Sequence, residues 1–393
     1  MSHEQPIRIL ASTSATKIMK SELNRRRFLA LSGAAASAAA LAACSTDSDT
    51  GSATQATGGD LESSLSVYSW GDYDDPDLVS EFTDELGPTV TFDAFNSNEE
   101  LISKLVAARG TSGYDIVVPT GPFIPQMIEN GLLSKLNLDL IPNIADMDPD
   151  FLGRDWDPNN EYSICKAWGT TGFVYDKTKI TRELTTWSDF IDAAQNEASG
   201  KTSVLDDPAP LLGIYYWANG IDWNTTDEAD LAAAEEFLTT QLAPHISAFD
   251  SYPGGAAIPQ AQHMLMQSWN GDARIGIMES EDPDRWQWVL GSPDTELWMD
   301  NWAIAEGAPN PEAAHAFINY VLTPEASLRE LDYIGYHTGG TGIEDTARAE
   351  GLEMLDLVFF DEDQISTMHT QAIGEAQQRI VEIWDKTKAS AGA

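Results

Sequence analysis

Between Leu65 and Pro119 the chain alternates between the two periodicities by which a polypeptide buries apolar side chains, and few folds accommodate that order. Leu65 to Trp70 reads as a short apolar strand. A turn at Pro76 leads into a helical pattern through Leu78, Val79 and Phe82, stopped by Gly87. Thr89 to Phe95 alternates Val90, Phe92 and Ala94 with polar residues, and Glu99 to Arg109 forms an amphipathic helix on Leu101, Ile102 and Leu105, ended at Gly110. Tyr114 to Pro119 (YDIVVP) is a continuous apolar run of the kind buried on both faces of a sheet. Strand, helix, strand, helix, strand predicts a doubly wound α/β lobe, in which ligands gather at the carboxyl ends of the strands. Trp70, Tyr73 and Thr120 fall at two such ends.

The 393 residues exceed the about 250 to 300 at which single hydrophobic cores stop growing, so a second lobe is expected. Ser163 to Asp176 reads as a strand through Gly169-Thr170-Thr171-Gly172, whose glycines would tolerate unusual backbone angles at a crossover between lobes. Beyond it, Ser203 to Asp206 predicts a strand, Pro210 to Ala218 and Glu228 to Leu242 helices, and Arg274 to Met278 (RIGIM) another strand. Trp298 to Ala305 returns as a strand, followed by a helix at Pro311 to Leu322 and a final one at Gln371 to Lys386. The expected architecture is α/β, with two doubly wound lobes joined by crossover hinge strands. Lobe one takes 62–169 and 297–365, and lobe two 170–296 and 366–393. No internal repeat is visible.

Charge narrows the function. Against 63 Asp and Glu stand 22 Lys and Arg, a formal charge of −41, which excludes attraction to nucleic-acid phosphates or anionic lipid headgroups. Residues 1–43 hold six of the bases and two of the acids, so the remainder carries 16 bases against 61 acids. A surface this acidic repels itself at ordinary ionic strength and is screened in strong salt, which suggests a salt-loving source. A general gain in solubility explains the sign better than the size. The basic end has its own meaning. Asn24-Arg25-Arg26-Arg27-Phe28-Leu29 precedes an Ala-rich apolar run to Ala43, the pattern of an export signal, and its paired arginines resemble the twin-arginine type. Leu41-Ala42-Ala43-Cys44 resembles a lipobox, with Cys44 as the lipidated residue and a polar tether at 44–61. The run is short against the about 20 apolar residues of a membrane span and ends at a cysteine, which favours a lipid anchor.

Signs of catalysis and of metal binding are missing from the sequence. Cys165 is the one other cysteine and reads as a buried, inert thiol, and the scattered histidines offer it no base. Neither Cys-x-x-Cys nor His-x-x-x-His spacing occurs. No cofactor is expected.

Several motifs in order carry a specific resemblance: YSWGDY at 68–73, FNSNEEL at 95–101, YDIVVPT at 114–120, and DMDPDFL with DPNNEYSI between 146 and 164. WGTTG at 168, LDDP at 205, WNG at 269, WMDNWAI at 298 and IGYHTGG at 334–340 follow. Across 62–388 the chain resembles the spermidine/putrescine-binding proteins that feed ABC-type importers, members of the type II periplasmic-binding-protein fold. The resemblance implies ligand-contacting aromatics at Trp70, Tyr73, Trp269, Trp298 and Tyr336, and amine-anchoring carboxylates at Asp207 and Asp300. It implies a hydroxyl at Thr120 and an amide at Gln371. It also implies an exported binding protein that works as a monomer with the permease subunits of an importer and holds the membrane through its lipid anchor. The chemistry is intelligible independently, since a polyamine needs flat aromatic walls for its stem and for cation–π contact, worth roughly 0.5 to 2 kcal/mol each, and a carboxylate at each end. Two positions depart from the family. Pro210 stands where a glutamate is usual, three residues after the LDD aspartate, and Pro122 where an aromatic is usual, with Phe123 beside it able to supply part of that wall.

Other interpretations stay open at this point. Trp156, Trp187, Trp217 and Trp384 are assigned to the core. Asp206-Asp207-Pro208 is also an ordinary turn or helix-capping sequence, and Tyr73 lies in an acidic loop that could be exposed. Asp207 and Asp300 could be the paired acids of an exported hydrolase, although no nucleophile motif accompanies them. A sensory or structural lipoprotein, and binding of a different small cationic or polar solute, are the remaining alternatives.

Overall fold

The structure is a computed structural model that describes residues 56–392. The segment expected to be a twin-arginine leader (1–43), Cys44 and the expected tether up to residue 55 lie outside the described residues. Among the described residues no helix is long and apolar enough to cross a membrane.

Among the described residues eleven strands follow in chain order: β1 (Ser64–Trp70), β2 (Thr89–Phe95), β3 (Ile116–Val117), β4 (Leu133–Ser134), β5 (Ser163–Asp176), β6 (Thr202–Val204), β7 (Ile246–Phe249), β8 (Leu265–Trp269), β9 (Trp286–Val289), β10 (Thr295–Ala305) and β11 (Met368–Thr370). Their spatial order is β2-β1-β3-β10-β5-β8-β6-β7, with β4 and β11 beside β10 and β9 beside β5. β1 pairs in parallel with β2, from Ser64 opposite Thr89 to Trp70 opposite Phe95, and in parallel with β3 on its other side. Between these strands run the helices Pro76–Leu86 and Asn98–Ala108, capped by Asp75 and Ser97, whose side chains accept from Asp77 N and Glu100 N. This is the doubly wound opening that the alternation predicts. The period of two distributes the strands' apolar residues to both faces. Leu65, Val67, Ile116, Trp302 and Ile304 enter one core with Phe82 and Phe317, while Tyr68, Val117, Ala303 and Ala305 enter the other with Leu101 and Ile124. Each such Leu, Ile or Val contributes about 1.5 to 3 kcal/mol.

β5 belongs to two sheets. From Ser163 to Thr170 it pairs antiparallel with β10, and from Thr171 to Tyr175 antiparallel with β8, so the strand changes partner between Thr170 and Thr171. Beyond that point a second lobe forms around Phe173, Trp187, Phe190, Leu212 and Trp217. Trp187 and Trp217 are fully buried as expected, whereas Trp156 and Trp384 are half-buried and pack against the edges of the cores. Cys165 is buried and free, and burial pushes its thiol well up, as an inert thiol requires.

Three expectations are corrected. Arg274–Met278 is not a strand but the second half of the helix Asn270–Met278, and the strand is the preceding β8. The Ile275/Ile277 alternation suits a strand, but the helix buries Ala273 and Ile277, one turn apart, against Ile258 and Trp286, and packing outweighs intrinsic preference. The last helix begins at Gln377 instead of Gln371, which leaves Gln371 on the connection after β11. The crossover glycines do not serve unusual backbone angles, since neither Gly169 nor Gly172 has positive φ. They serve close approach: a Cβ on Gly169 would stand 2.4 Å from Asn270 Oδ1 and 2.5 Å from Trp298 Cζ2.

Candidate functional site

A cavity of about 260 Å³ lies where the two lobes meet, and all nine residues named from the sequence line it. β1 delivers Trp70 at its carboxyl end, and the loop after it delivers Tyr73, which is buried and not exposed. Thr120 stands just past β3. β8 ends in Trp269, and β10 presents Trp298 and Asp300 on one face. Tyr336 follows the helix Pro324–Ile334, and Gln371 reaches in from its loop, its amide donating to Gln377 Oε1 at 3.3 Å.

The aromatic side chains form a connected wall. Trp269 and Trp298 meet edge to face with centroids 6.5 Å apart, Trp298 and Tyr336 at 4.8 Å, and Tyr336 and Tyr73 at 6.0 Å. Phe123, beside Pro122, lines the same cavity, and Trp70 packs on Phe95 at 4.6 Å.

Asp300 is held by a relay. Asn98 Oδ1 accepts from Thr120 N at 2.9 Å, Asn98 Nδ2 donates to Thr120 Oγ1 at 2.9 Å, and Thr120 Oγ1 donates to Asp300 Oδ1 at 2.7 Å. The hydroxyl is thereby fixed as a donor to the carboxylate. Burial pushes Asp300 up to about 7, against the opposing pull of this hydrogen bond, of Tyr73 and of the Lys166 charge. Lys166 is itself buried behind the wall, 2.7 Å from Asp74 and 3.5 Å from Glu330, over the rings of Trp302 and Tyr73.

Asp207 caps a helix and also faces the cavity. Its Oδ1 accepts from Ala209 N at 3.2 Å as the N-cap of the helix Pro208–Asn219, and it also lines the cavity. Its neighbour Asp206 is neutralised by Lys388 at 2.7 Å. Burial, then the charges of Glu296 and Glu99, raise Asp207 well above the usual carboxylate range.

Three acids of the cavity were not anticipated. Asp72 is exposed at the mouth. Asp272 sits in the helix misread as a strand, its Oδ2 accepting from the Tyr336 hydroxyl while Oδ1 is buried without a hydrogen bond, and burial pushes it up to about 7. Tyr336 is therefore a ring surface with a committed hydroxyl. Glu296 is 7% exposed, accepts from Thr171 Oγ1 at 2.7 Å, and is pushed by burial to about 7. It lies just before the return strand expected at Trp298 to Ala305, and because β10 begins at Thr295, residues 296, 298 and 300 share a face. Tyr252 and Tyr333 at the cavity mouth gave no comparable signal.

Among the described residues, five acids and no Lys, Arg or His line the cavity. Among the described residues no group of three or more His, Cys, Asp or Glu side chains is arranged to hold a metal ion.

Two α/β lobes sharing crossover strands, with a cavity at their junction, define the class: a type II binding-protein scaffold. The chain belongs to the family of bacterial extracellular solute-binding proteins, whose profile matches residues 77–351. It is similar to the "Spermidine/putrescine-binding periplasmic protein 1" of Haemophilus influenzae, 29% identical over 93% of this chain and 99% of that one. The spermidine/putrescine-binding periplasmic protein of Escherichia coli is 30% identical over 71% of this chain and 78% of its own. Among solved structures, a candidate spermidine/putrescine ABC transporter protein of Listeria monocytogenes is 27% identical, covers 83% of this chain and 99% of its own, and superimposes with a TM-score of 0.76.

Proposed function

We propose that this protein captures a polyamine of the putrescine/spermidine kind outside the cytoplasm and delivers it to the permease subunits of an ABC importer. The observation that carries the proposal is the cavity lining: several buried acids, a continuous aromatic wall and, among the described residues, no basic side chain. Buried carboxylates without a cation are costly, and an ammonium supplies the missing charge while its methylene stem lies against the rings. The names of the relatives agree with this chemistry. Nine residues are assigned to the ligand: Trp70, Tyr73, Thr120, Asp207, Trp269, Trp298, Asp300, Tyr336 and Gln371, with Asp300 as the dominant anchor. Residues 62–169 with 297–365 form one closing lobe, and 170–296 with 366–393 the other. Export by the twin-arginine leader, a lipid on Cys44 and action as a monomer complete the proposal, with neither cofactor nor catalysis involved.

The test is calorimetry in high salt with putrescine, spermidine, a quaternary amine and a small carboxylate, on the wild type and on Asp300→Asn. The amines should bind, the carboxylate should not, and scattering should show compaction with the saturating amine. Asp300→Asn should fold and lose about 30-fold or more in affinity, the effect of leaving a buried ammonium unpaired. Wild-type affinity in the variant would remove Asp300 from the site, and binding of the carboxylate alone would overturn the polyamine assignment.

A further inference from the structure

The resemblance leaves the second end of the site short of an acid, because Pro210 occupies the position of the family glutamate. The structure supplies one from elsewhere in the chain. Strand β10 carries Glu296, Trp298 and Asp300 at alternate positions, so acid, indole and acid face the cavity in a row. Four residues of extended strand separate the two acid Cα atoms by roughly 13 Å, with the indole between them. Glu296 is more than nine-tenths buried, and only its Oε2 is bonded, by Thr171 Oγ1 at 2.7 Å. It forms no ion pair among the described residues. The Thr170 hydroxyl donates to the Glu296 carbonyl at 2.6 Å, which pins the residue from the backbone side at the point where β5 changes sheets. The helix that Asp207 caps packs against β10, and both acids line the cavity, near enough that the charge of Glu296 raises the proton affinity of Asp207.

We infer that Glu296 replaces the missing acid: with Asp207 it clamps a second ammonium, while the stem crosses Trp298 to the first ammonium on Asp300. This rests on the polyamine proposal and deepens it by fixing the substrate class as amines with at least two cationic centres. Two carboxylates lining the same cavity would repel without a cation, and one ammonium shared by them relieves the repulsion and offsets part of their desolvation.

Calorimetry with 1,4-diaminobutane, spermidine and n-butylamine, on the wild type and on Glu296→Gln, tests this. The wild type should bind both polyvalent amines at least about 30-fold more tightly than n-butylamine. Glu296→Gln should erase most of that advantage while n-butylamine, held at Asp300, changes by no more than about threefold. Equal affinity of the wild type for the monoamine and the diamine overturns the inference even if the variant does not fold. An equal loss for all three amines in Glu296→Gln also overturns it, because that pattern reports a deformed crossover. Tight diamine binding that the variant leaves untouched removes Glu296 alone, whereas failure of every amine on the wild type removes the polyamine proposal and this inference with it.

Discussion

Asp272, Glu296 and Asp300 share one physical state: each is a carboxyl held near neutrality by burial, with a proton affinity set close to about 7. Their ordinary values are 3.8 for aspartate and 4.5 for glutamate, so between about pH 4 and 7 the folded, empty protein holds protons that the unfolded chain has released. Their contribution to stability is full below about pH 4 and is lost as pH rises through about 7. A bound ammonium demands the ionised acid, so binding must expel these protons. Polyamine affinity is therefore expected to rise by about tenfold or more from pH 5.5 to 8, with protons released to the buffer on binding. Calorimetry in buffers of different ionisation enthalpy checks both, and an affinity that is flat or falls over that range contradicts the account. The residues legible in the sequence at this scale were those inside local motifs, Trp70, Trp269 and Trp298 among them. Asp272 follows the WNG motif directly, but its place beside the ligand wall depends on Tyr336, 64 positions further on. Glu296 was hidden because its importance depends on Asp207, nearly ninety positions away in the chain, and no short motif encodes that distance.

At the scale of the elements, the crossover strands were the most legible feature, since β5 spans Ser163–Asp176 as expected and β10 adds only three residues to the expected return strand. What the pattern did not reveal was why Gly169 lies there. It sits opposite Trp298 in the β5–β10 ladder, and the hydrogen on its Cα leaves the space that Trp298, Asn270 and Tyr336 fill. Asn270 in turn accepts from Thr170 N at 2.8 Å and donates to the Leu357 carbonyl at 2.8 Å, tying β8's successor helix to both lobes. Gly169→Ala should cost about 1 to 3 kcal/mol by overpacking and displace the Trp298 indole from the ligand wall. Denaturant titration and ligand affinity should both fall. Unchanged stability would mean that the packing at Gly169 relaxes without cost. The misread helix after Trp269 follows from the same tight packing, because Gly271 lies against the Tyr336 ring, where an added Cβ would stand 2.5 Å away.

For the molecule as a whole, a formal charge of −41 on 393 residues is a long-range burden that individual ion pairs do not lift. The Debye length is about 30 Å at 0.01 M salt and about 3 Å at 1 M, so the repulsion acts across a lobe in dilute buffer and hardly beyond one side chain in brine. Melting temperature should rise steeply with NaCl or KCl, while affinity at the enclosed site, which salt screens less, falls only modestly. A chain equally stable at 0.01 M and 2 M salt would defeat salt adaptation. The two-lobe plan was legible because periodicity and length are global properties of the chain; the cavity's full acid complement was not, because it exists only when distant segments converge. The position of β10 bears on how such a chain comes to be folded at all. In space it lies between β3 and β5, yet it emerges from synthesis after the whole of the second lobe's sheet. Until residue 305 is made, β3 and β5 each present an unpaired edge, so the first lobe cannot finish during translation of its own residues. From the completion of β3 until some three-quarters of the chain is made, nearly half of its synthesis, the nascent chain must stay protected from wrong strand pairing. Both lobes are finished late: the first gains its central strand with β10, and the second lobe's core waits for Ala376 and for Ile383 of the last helix.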